Sequence, residues 1–280
     1  MTQQRIKLAI STCPNDTFAF HALMERLVDC RGLDFEVDLM DIQELNDGID
    51  QGRFDVAKAS FHAALRWTES MVVLPSGSAL GFGVGPLLLA AKSNSKPESI
   101  AQLTLCPGKD TTATLLFKLF YPNTTRVDQA LFSQIMPKLE SGEADFGVCI
   151  HEGRFTWQES GLSLVEDLGT RWEAETNCPL PLGGIVAKTS LADEKLERVQ
   201  AVIRDSILFA QQSPESALPT MRRYAQEFDD VVLMKHVELY VNPWTIDLGE
   251  TGRAALDELS RRALQVGLIE AGTKPLRVWS

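Results

Sequence analysis

The sequence predicts an α/β protein of two similar lobes that close on a ligand between them. The first observation is the run Phe146-Gly147-Val148-Cys149-Ile150, which stops abruptly at His151. It is too continuous for a half-exposed strand and too short for a helix, so it reads as a strand buried on both faces of a mostly parallel sheet. The second is a repeated step. Gly52-Arg53-Phe54-Asp55-Val56 and Gly142-Glu143-Ala144-Asp145-Phe146 each follow a helix and introduce a buried strand, about ninety residues apart. The third is length: 280 residues exceed one comfortable core and fall short of three.

Composition narrows the function. With 44% hydrophobic and 23% charged residues the chain is an ordinary globular one. A net charge of −11 argues against nucleic acid or an anionic membrane as partner, since both demand a basic face. A small anionic substrate is compatible with it, because backbone amides at helix starts bind anions whatever the global charge. Cys13, Cys30, Cys106, Cys149 and Cys178 are odd in number and contain no CxxC pair, so they read as reduced thiols rather than a disulfide framework or a zinc site. No signal-peptide pattern precedes the first strand and no run of about 18 apolar residues occurs, which makes cytoplasmic residence the expectation.

Taken in order, Ile6 to Ser11 is strand-like, and the turn Thr12-Cys13-Pro14-Asn15-Asp16-Thr17 leads into a helix carrying Phe18, Phe20, His21, Leu23, Met24 and Leu27. Asn15 or Asp16 caps that helix on the plainer reading and touches a ligand on the other. His21, among aromatics, fits a hydrogen-bonded core role. Phe35 to Met40 is a strand and Ile42 to Asp50 a helix. The strand through Lys58-Ala59-Ser60 then opens the helix Phe61 to Thr68. Ser60 serves as N-cap, or presents its hydroxyl to the crevice. His62 reads as a first-turn surface or packing residue.

Met71 to Leu74 and Leu87 to Ala91 are strands flanking the glycine-dense Gly77 to Pro86. The glycine order does not match a dinucleotide fingerprint; close backbone approach or a domain crossover is expected there. Lys92 to Glu98, polar and proline-bearing, is the expected boundary. Beyond it, the strand Thr104 to Cys106 and the turn Pro107 to Asp110 deliver Thr111 and Thr112 to a helix N-terminus, a natural seat for a carboxylate or phosphate. Val127 to Leu131 is a strand and Phe132 to Glu140 a helix. Asn177 to Lys188 looks like a return crossing, and the remainder, from Glu194 to Gly267, is helical by period and expected to pack on the first lobe. Tyr240, Asn242 and Trp244 read as a helix-end cluster, with access to the cleft as the alternative.

Four strand-to-helix turns thus point the same way: Asn15-Asp16, Lys58 to Ser60, Thr111-Thr112 and His151, two from each half. In open α/β sheets ligands bind at the carboxyl ends of strands. A ligand pinched between lobes joined by crossover strands is the arrangement of type II periplasmic-binding-protein-like clamshells, with mixed, mostly parallel sheets and here a helical C-terminal extension on the first domain. The expected division is 1–91 with 183–280 as the larger, discontinuous domain and 92–182 as the smaller. A lone histidine at such an edge is more often structural than catalytic.

Ser11-Thr12-Cys13-Pro14-Asn15-Asp16-Thr17-Phe18, Lys58-Ala59-Ser60, Gly77-Ser78-Ala79-Leu80-Gly81, Thr111-Thr112-Ala113 and Ile150-His151-Glu152 with Arg154-Phe155-Thr156 together resemble the 1,4-dihydroxy-6-naphthoate synthase family of the futalosine route to menaquinone. The resemblance runs nearly end to end, through Leu180-Pro181-Leu182-Gly183 and Tyr240-Val241-Asn242; Thr12 stands where that family leads one to expect proline. It implies a lyase that converts cyclic dehypoxanthine futalosine to 1,4-dihydroxy-6-naphthoate and dihydroxyacetone without metal or organic cofactor. It also implies His151 as proton acceptor, and Lys58, Ala59, Ser60, Thr111 and Thr112 as substrate-binding residues. Arg154 could pair with the aromatic carboxylate, though Glu152 or another acid is as good a partner for it. The competing expectations are a non-catalytic small-acid binding protein and a related lyase such as chorismate dehydratase.

Overall fold

The computed structural model describes residues 4–150, 153–225 and 229–280. The first lobe runs β1 (Gln4–Ser11), α1 (Pro14–Ala19), α2 (His21–Met24), β2 (Leu33–Met40), α3 (Ile42–Asp50), β3 (Val56–Ser60), α4 (Phe61–Ala64), β4 (Met71–Val73) and β5 (Ala79–Gly81). The chain then crosses into β6 (Leu87–Ala90), β7 (Leu103–Cys106), α5 (Thr112–Phe120), β8 (Arg126–Gln129), α6 (Phe132–Glu140), β9 (Phe146–Cys149), α7 (Gly153–Thr156), β10 (Ser163–Asp167) and α8 (Leu168–Thr176). It returns through β11 (Leu180–Lys188) and ends in α9 (Asp193–Gln212), α10 (Pro214–Tyr224), α11 (Asp230–Tyr240), α12 (Pro243–Ile246) and α13 (Gly249–Gln265).

The two sheets have one plan. The first is ordered β2-β1-β3-β11-β4, with β5 also on β11; the second, read from the matching edge, is β8-β7-β9-β6-β10. In each, the second strand of that order, β1 or β7, pairs in parallel with both of its neighbours, and a strand that arrives by crossover, β11 or β6, adds on antiparallel to the third. The expected mostly parallel character holds for the first three strands of each sheet. The C-terminal tail extends the first sheet, with Val73 N donating to Arg277 O at 2.9 Å and Trp279 N to Val73 O at 2.8 Å.

The repeated glycine-to-aspartate step is a repeated structure. Gly52 and Gly142 both take left-handed φ values, +69° and +75°, where a side chain would strain the backbone. Three residues later Asp55 accepts Lys7 N at 3.0 Å while its own N–H reaches Lys7 O at 2.9 Å. Asp145 does the same to Leu103, at 2.8 and 3.0 Å. Each aspartate thereby locks the start of its own strand, β3 or β9, to the parallel neighbour, β1 or β7.

Several expectations are corrected. Leu87–Ala90 pairs with β9 and β10, so the crossing precedes it, and the expected division after residue 91 cuts β6 from its own sheet. The crossing lies in the glycine-dense stretch: a Cβ on Gly85 would stand 2.2 Å from Gly169 Cα, so only glycine fits there. The return starts before residue 183, since Leu180 already pairs with Gly81. The helix expected from Phe61 to Thr68 is one α-turn followed by a 3₁₀ turn, Leu65–Trp67.

Helix α1 starts at Pro14 with Cys13 at the N-cap position, which leaves Asn15 and Asp16 inside the helix rather than capping it. Pro at the first helical position suits this start, because its missing N–H has no helical partner to lose. Helix α3 is capped by Asp41 and Glu44 in a reciprocal box. Helices α9, α10 and α11 pack on α1 or α2, while α13 touches both β11 and α5.

Candidate active site

A cavity opens where the carboxyl ends of β1, β3, β9 and the N-terminus of α5 converge, and both lobes line it. Its floor in the first lobe is ionic. Lys58, in the middle of β3, places Nζ 2.6 Å from Asp16 Oδ1 and 3.0 Å from Gly77 O. Their side chains are only 6% and 2% exposed, so neither charge has water to replace the other. Gly77 permits this approach at φ +93°, where a Cβ would come within 2.4 Å of Ile185 Cγ1. Ser11, last in β1, donates its hydroxyl to Asp16 Oδ2 at 2.6 Å, and Asn15 Nδ2 lies 2.9 Å from Oδ1.

The second lobe contributes Thr111 and Thr112. Thr111 caps α5, accepting from Thr114 N at 3.3 Å, and donates its hydroxyl to Gly108 O at 2.8 Å. Thr112 donates its hydroxyl to Leu182 O at 2.7 Å and its N–H to Ser60 Oγ at 2.9 Å. Ser60 Oγ also stands 3.2 Å from Thr112 Oγ1, with Ser60 as donor because the threonine proton is engaged. Ser60 makes no side-chain cap bond to α4, so its hydroxyl faces the other lobe instead of its own helix. The anion seat expected at the start of α5 is therefore met by Ser60 in this closed arrangement.

Of the two readings of His62, a first-turn surface residue or a packing residue, the structure takes the second. It is buried, and its Nδ1–H donates to Thr111 O at 3.1 Å across the lobes. Burial pushes its pKa down to about 4, so it is a neutral strut at neutral pH. Asp110 adds to this closure, paired with Arg66 at 3.0 Å and held by Gln43. His21 has the expected core role, with Nδ1 2.8 Å from Thr220 Oγ1, and burial lowers its pKa.

Of the residues singled out in the sequence, Asn15, Asp16, Lys58, Ser60, Thr111 and Thr112 all line the one cavity. Ala59 does not: strand alternation turns it into the core among Leu45 and Phe61. Arg154 does not either. Its guanidinium donates to Gly85 O and, at 2.7 Å, to Asp167 Oδ2, so it braces the crossover; the expected acid partner proves to be Asp167. His151 and Glu152 lie outside the described residues, whereas Ile150, just before them, lines the cavity.

The cavity also holds His236 and Tyr240 of α11. Tyr240 takes the cleft-facing alternative, while Asn242 caps α12 and reaches Leu80 O at 2.8 Å. His236 carried a readable signal: it sits at helical spacing with the buried Leu233, Val237 and Tyr240, a polar residue on an apolar face. Among the described residues no group of three His, Cys, Asp or Glu side chains is placed to hold a metal ion.

Against known proteins, the family model described as menaquinone biosynthesis matches residues 6–265. The chain belongs to that menaquinone-biosynthesis family. A Streptomyces coelicolor member named 1,4-dihydroxy-6-naphtoate synthase is 38% identical over 97% of both chains. A Thermus thermophilus member of the same name is also 38% identical, over 98% of this chain and all of its own. Family membership makes the chain an enzyme rather than a bare binding module. A solved structure from Archaeoglobus fulgidus superposes with a TM-score of 0.89 at 30% identity, covering 96% of this chain and all of the other. The aliphatic sulphonate binding protein of Escherichia coli, at 9% identity, covers 99% of this chain and 94% of its own with a TM-score of 0.66. The clamshell is thus a periplasmic-binding-protein-like fold. Among the described residues of this family member, no helix is long and apolar enough to cross a membrane.

Proposed function

We propose that the chain is a carbon–carbon lyase that converts cyclic dehypoxanthine futalosine to 1,4-dihydroxy-6-naphthoate and dihydroxyacetone, acting in the cytoplasm on this small anionic aromatic substrate with no nucleic-acid or membrane partner. The observation that carries the reading is the single cavity shared by Lys58 and Ser60 from one lobe and Thr112 from the other, in a chain whose full-length relatives bear the synthase name. Ser60 and the start of α5 hold the substrate carboxylate, which replaces their contact with each other as the lobes close on it. His151, next in the chain after Ile150, takes a proton from the substrate as general base. Developing negative charge rests on oxygens held by fixed N–H and O–H donors, and aromatisation of the ring supplies driving force.

Incubating the purified chain with the cyclic futalosine derivative should release naphthoate and dihydroxyacetone in equal amounts. Binding without products would favour a non-catalytic role, and turnover of chorismate instead would assign the related dehydratase activity.

A further inference from the structure

The turn that leads into Thr111 and Thr112 is gripped from the first lobe, outside the cavity. Asp110 accepts from Arg66 Nη1 at 3.0 Å and from Gln43 Nε2 at 3.4 Å, and its own N–H donates to Gln43 Oε1 at 3.3 Å. Each gripping side chain is also held by its own lobe. Arg66 Nη2 donates to Asp50 at 2.7 Å, and Asp50 is fixed in turn by the indole N–H of Trp67 at 2.5 Å. Gln43 Nε2 donates to Asp47 at 3.0 Å, one helical turn along α3. The fit against the turn is close, since a Cβ on Gly108 would stand 2.7 Å from Gln43 Oε1. Gln43, Arg66 and Asp110 line no part of the cavity, so a ligand that parts Ser60 from Thr112 leaves these contacts in place.

We propose that Gln43 and Arg66 form a preorganised receptor for Asp110, a latch that holds the lobes closed and so sets Thr111 and Thr112 against the substrate carboxylate. The three are positioning residues: they touch no substrate and act through the turn they fix. The proposal rests on the reading of Ser60 and the start of α5 as the carboxylate seat. Because Asp50 and Asp47 orient the receptor from within the first lobe, little side-chain freedom is lost when Asp110 arrives. A single part-exposed ion pair contributes little. Here the guanidinium is joined by the Gln43 amide and, at the next residue of the turn, by His62 on Thr111 O at 3.1 Å. Part of the affinity for a ligand then resides in contacts between the lobes, and loosening the latch weakens apparent binding by the fraction of closed chain that is lost.

The test is steady-state kinetics on the cyclic futalosine derivative together with small-angle X-ray scattering of the full chain. Asp110→Ala and Arg66→Met should each raise KM about three- to tenfold while kcat moves less than about twofold, since saturating substrate closes the lobes itself. The double variant should be no worse than the poorer single one, because either substitution already opens the latch. Raising salt from about 0.01 to about 1 M should narrow the KM gap between wild type and Arg66→Met, as the Debye length falls from about 30 to about 3 Å. In scattering without substrate, both variants should show a larger radius of gyration than wild type. Asp110→Asn serves where alanine loosens the turn. Variants that keep either the wild-type KM or the wild-type radius of gyration overturn the latch, and so do KM penalties that multiply in the double variant. A wild-type chain inactive on the derivative would count against the reaction, while the radius of gyration would still decide the latch.

Discussion

The two lobes share a scaffold and divide the chemistry. Strand order, the crossover strand and the aspartate lock all match, so that Asp55 corresponds to Asp145 and Val56 to Phe146. Counting on along β3 and β9, Lys58 corresponds to Val148 and Ser60 to Ile150. The first lobe thus carries a buried ion pair where the second carries plain core. The second brings hydroxyls on a helix N-terminus, and β9 leads through Ile150 to His151. A duplicated frame fixes where strand ends meet; single substitutions at those ends decide what chemistry each lobe brings.

The largest expected effect separates Lys58 from its counterpart. Lys58→Met strands the Asp16 carboxylate, and removing one partner of a buried pair costs about 3–5 kcal/mol. Val148→Ala, at the corresponding position, should lose only about 1–2 kcal/mol of packing. Urea denaturation checks both, and equal losses would show that the pair carries no special weight. Asp16→Leu combined with Lys58→Met should recover most of the stability, because no unpaired charge then remains.

The lobe-to-lobe strut gives the next effect. The pKa of His62 falls from 6.5 in the unfolded chain to about 4 in the folded one. Between those values the unfolded chain binds the extra proton, so this contribution is fully present above about pH 6.5 and is lost as pH falls toward 4. The change amounts to about 3 kcal/mol. The difference in unfolding free energy between wild type and His62→Gln, followed from pH 7 to 4, should shrink by that order; a difference that stays flat with pH would show that His62 is not held neutral.

The smallest effect tests the likeness itself. Asp55→Ala and Asp145→Ala each remove a charge-assisted bond to a backbone N–H and should cost similar amounts, about 1.5–3 kcal/mol. Chemical denaturation of the two variants side by side would expose any asymmetry. A cost confined to one lobe would mean that the repeat is one of sequence and not of mechanics.

What was legible in the sequence follows the strength of its local signals. Helices α3 and α6 appear at their expected bounds because each has a clear apolar face between distinct ends. Strand β10 and helix α8 had no such pattern: Ser163-Leu164-Val165-Glu166-Asp167 is an edge strand of mixed exposure, held by pairing with β6 that no local rule reveals. The cavity-lining residues at strand ends were readable from the strand-to-helix turns. Their partners were not, because those partners are distant in sequence: Asp167 for Arg154, Thr112 for Ser60, and Asn15 for His236. Of the two readings of Asn15 and Asp16, capping is the local one and does not hold; both line the cavity, and their partners, His236 and Lys58, arrive only with the tertiary fold.

The central claim is that His151 takes the proton in a cavity built by both lobes. Single-turnover kinetics of His151→Asn, on a variant shown to fold and to bind the substrate, test it most directly. The account expects product formation to fall by at least about 10²-fold with binding largely retained; a variant that turns over at a near-normal rate would contradict it.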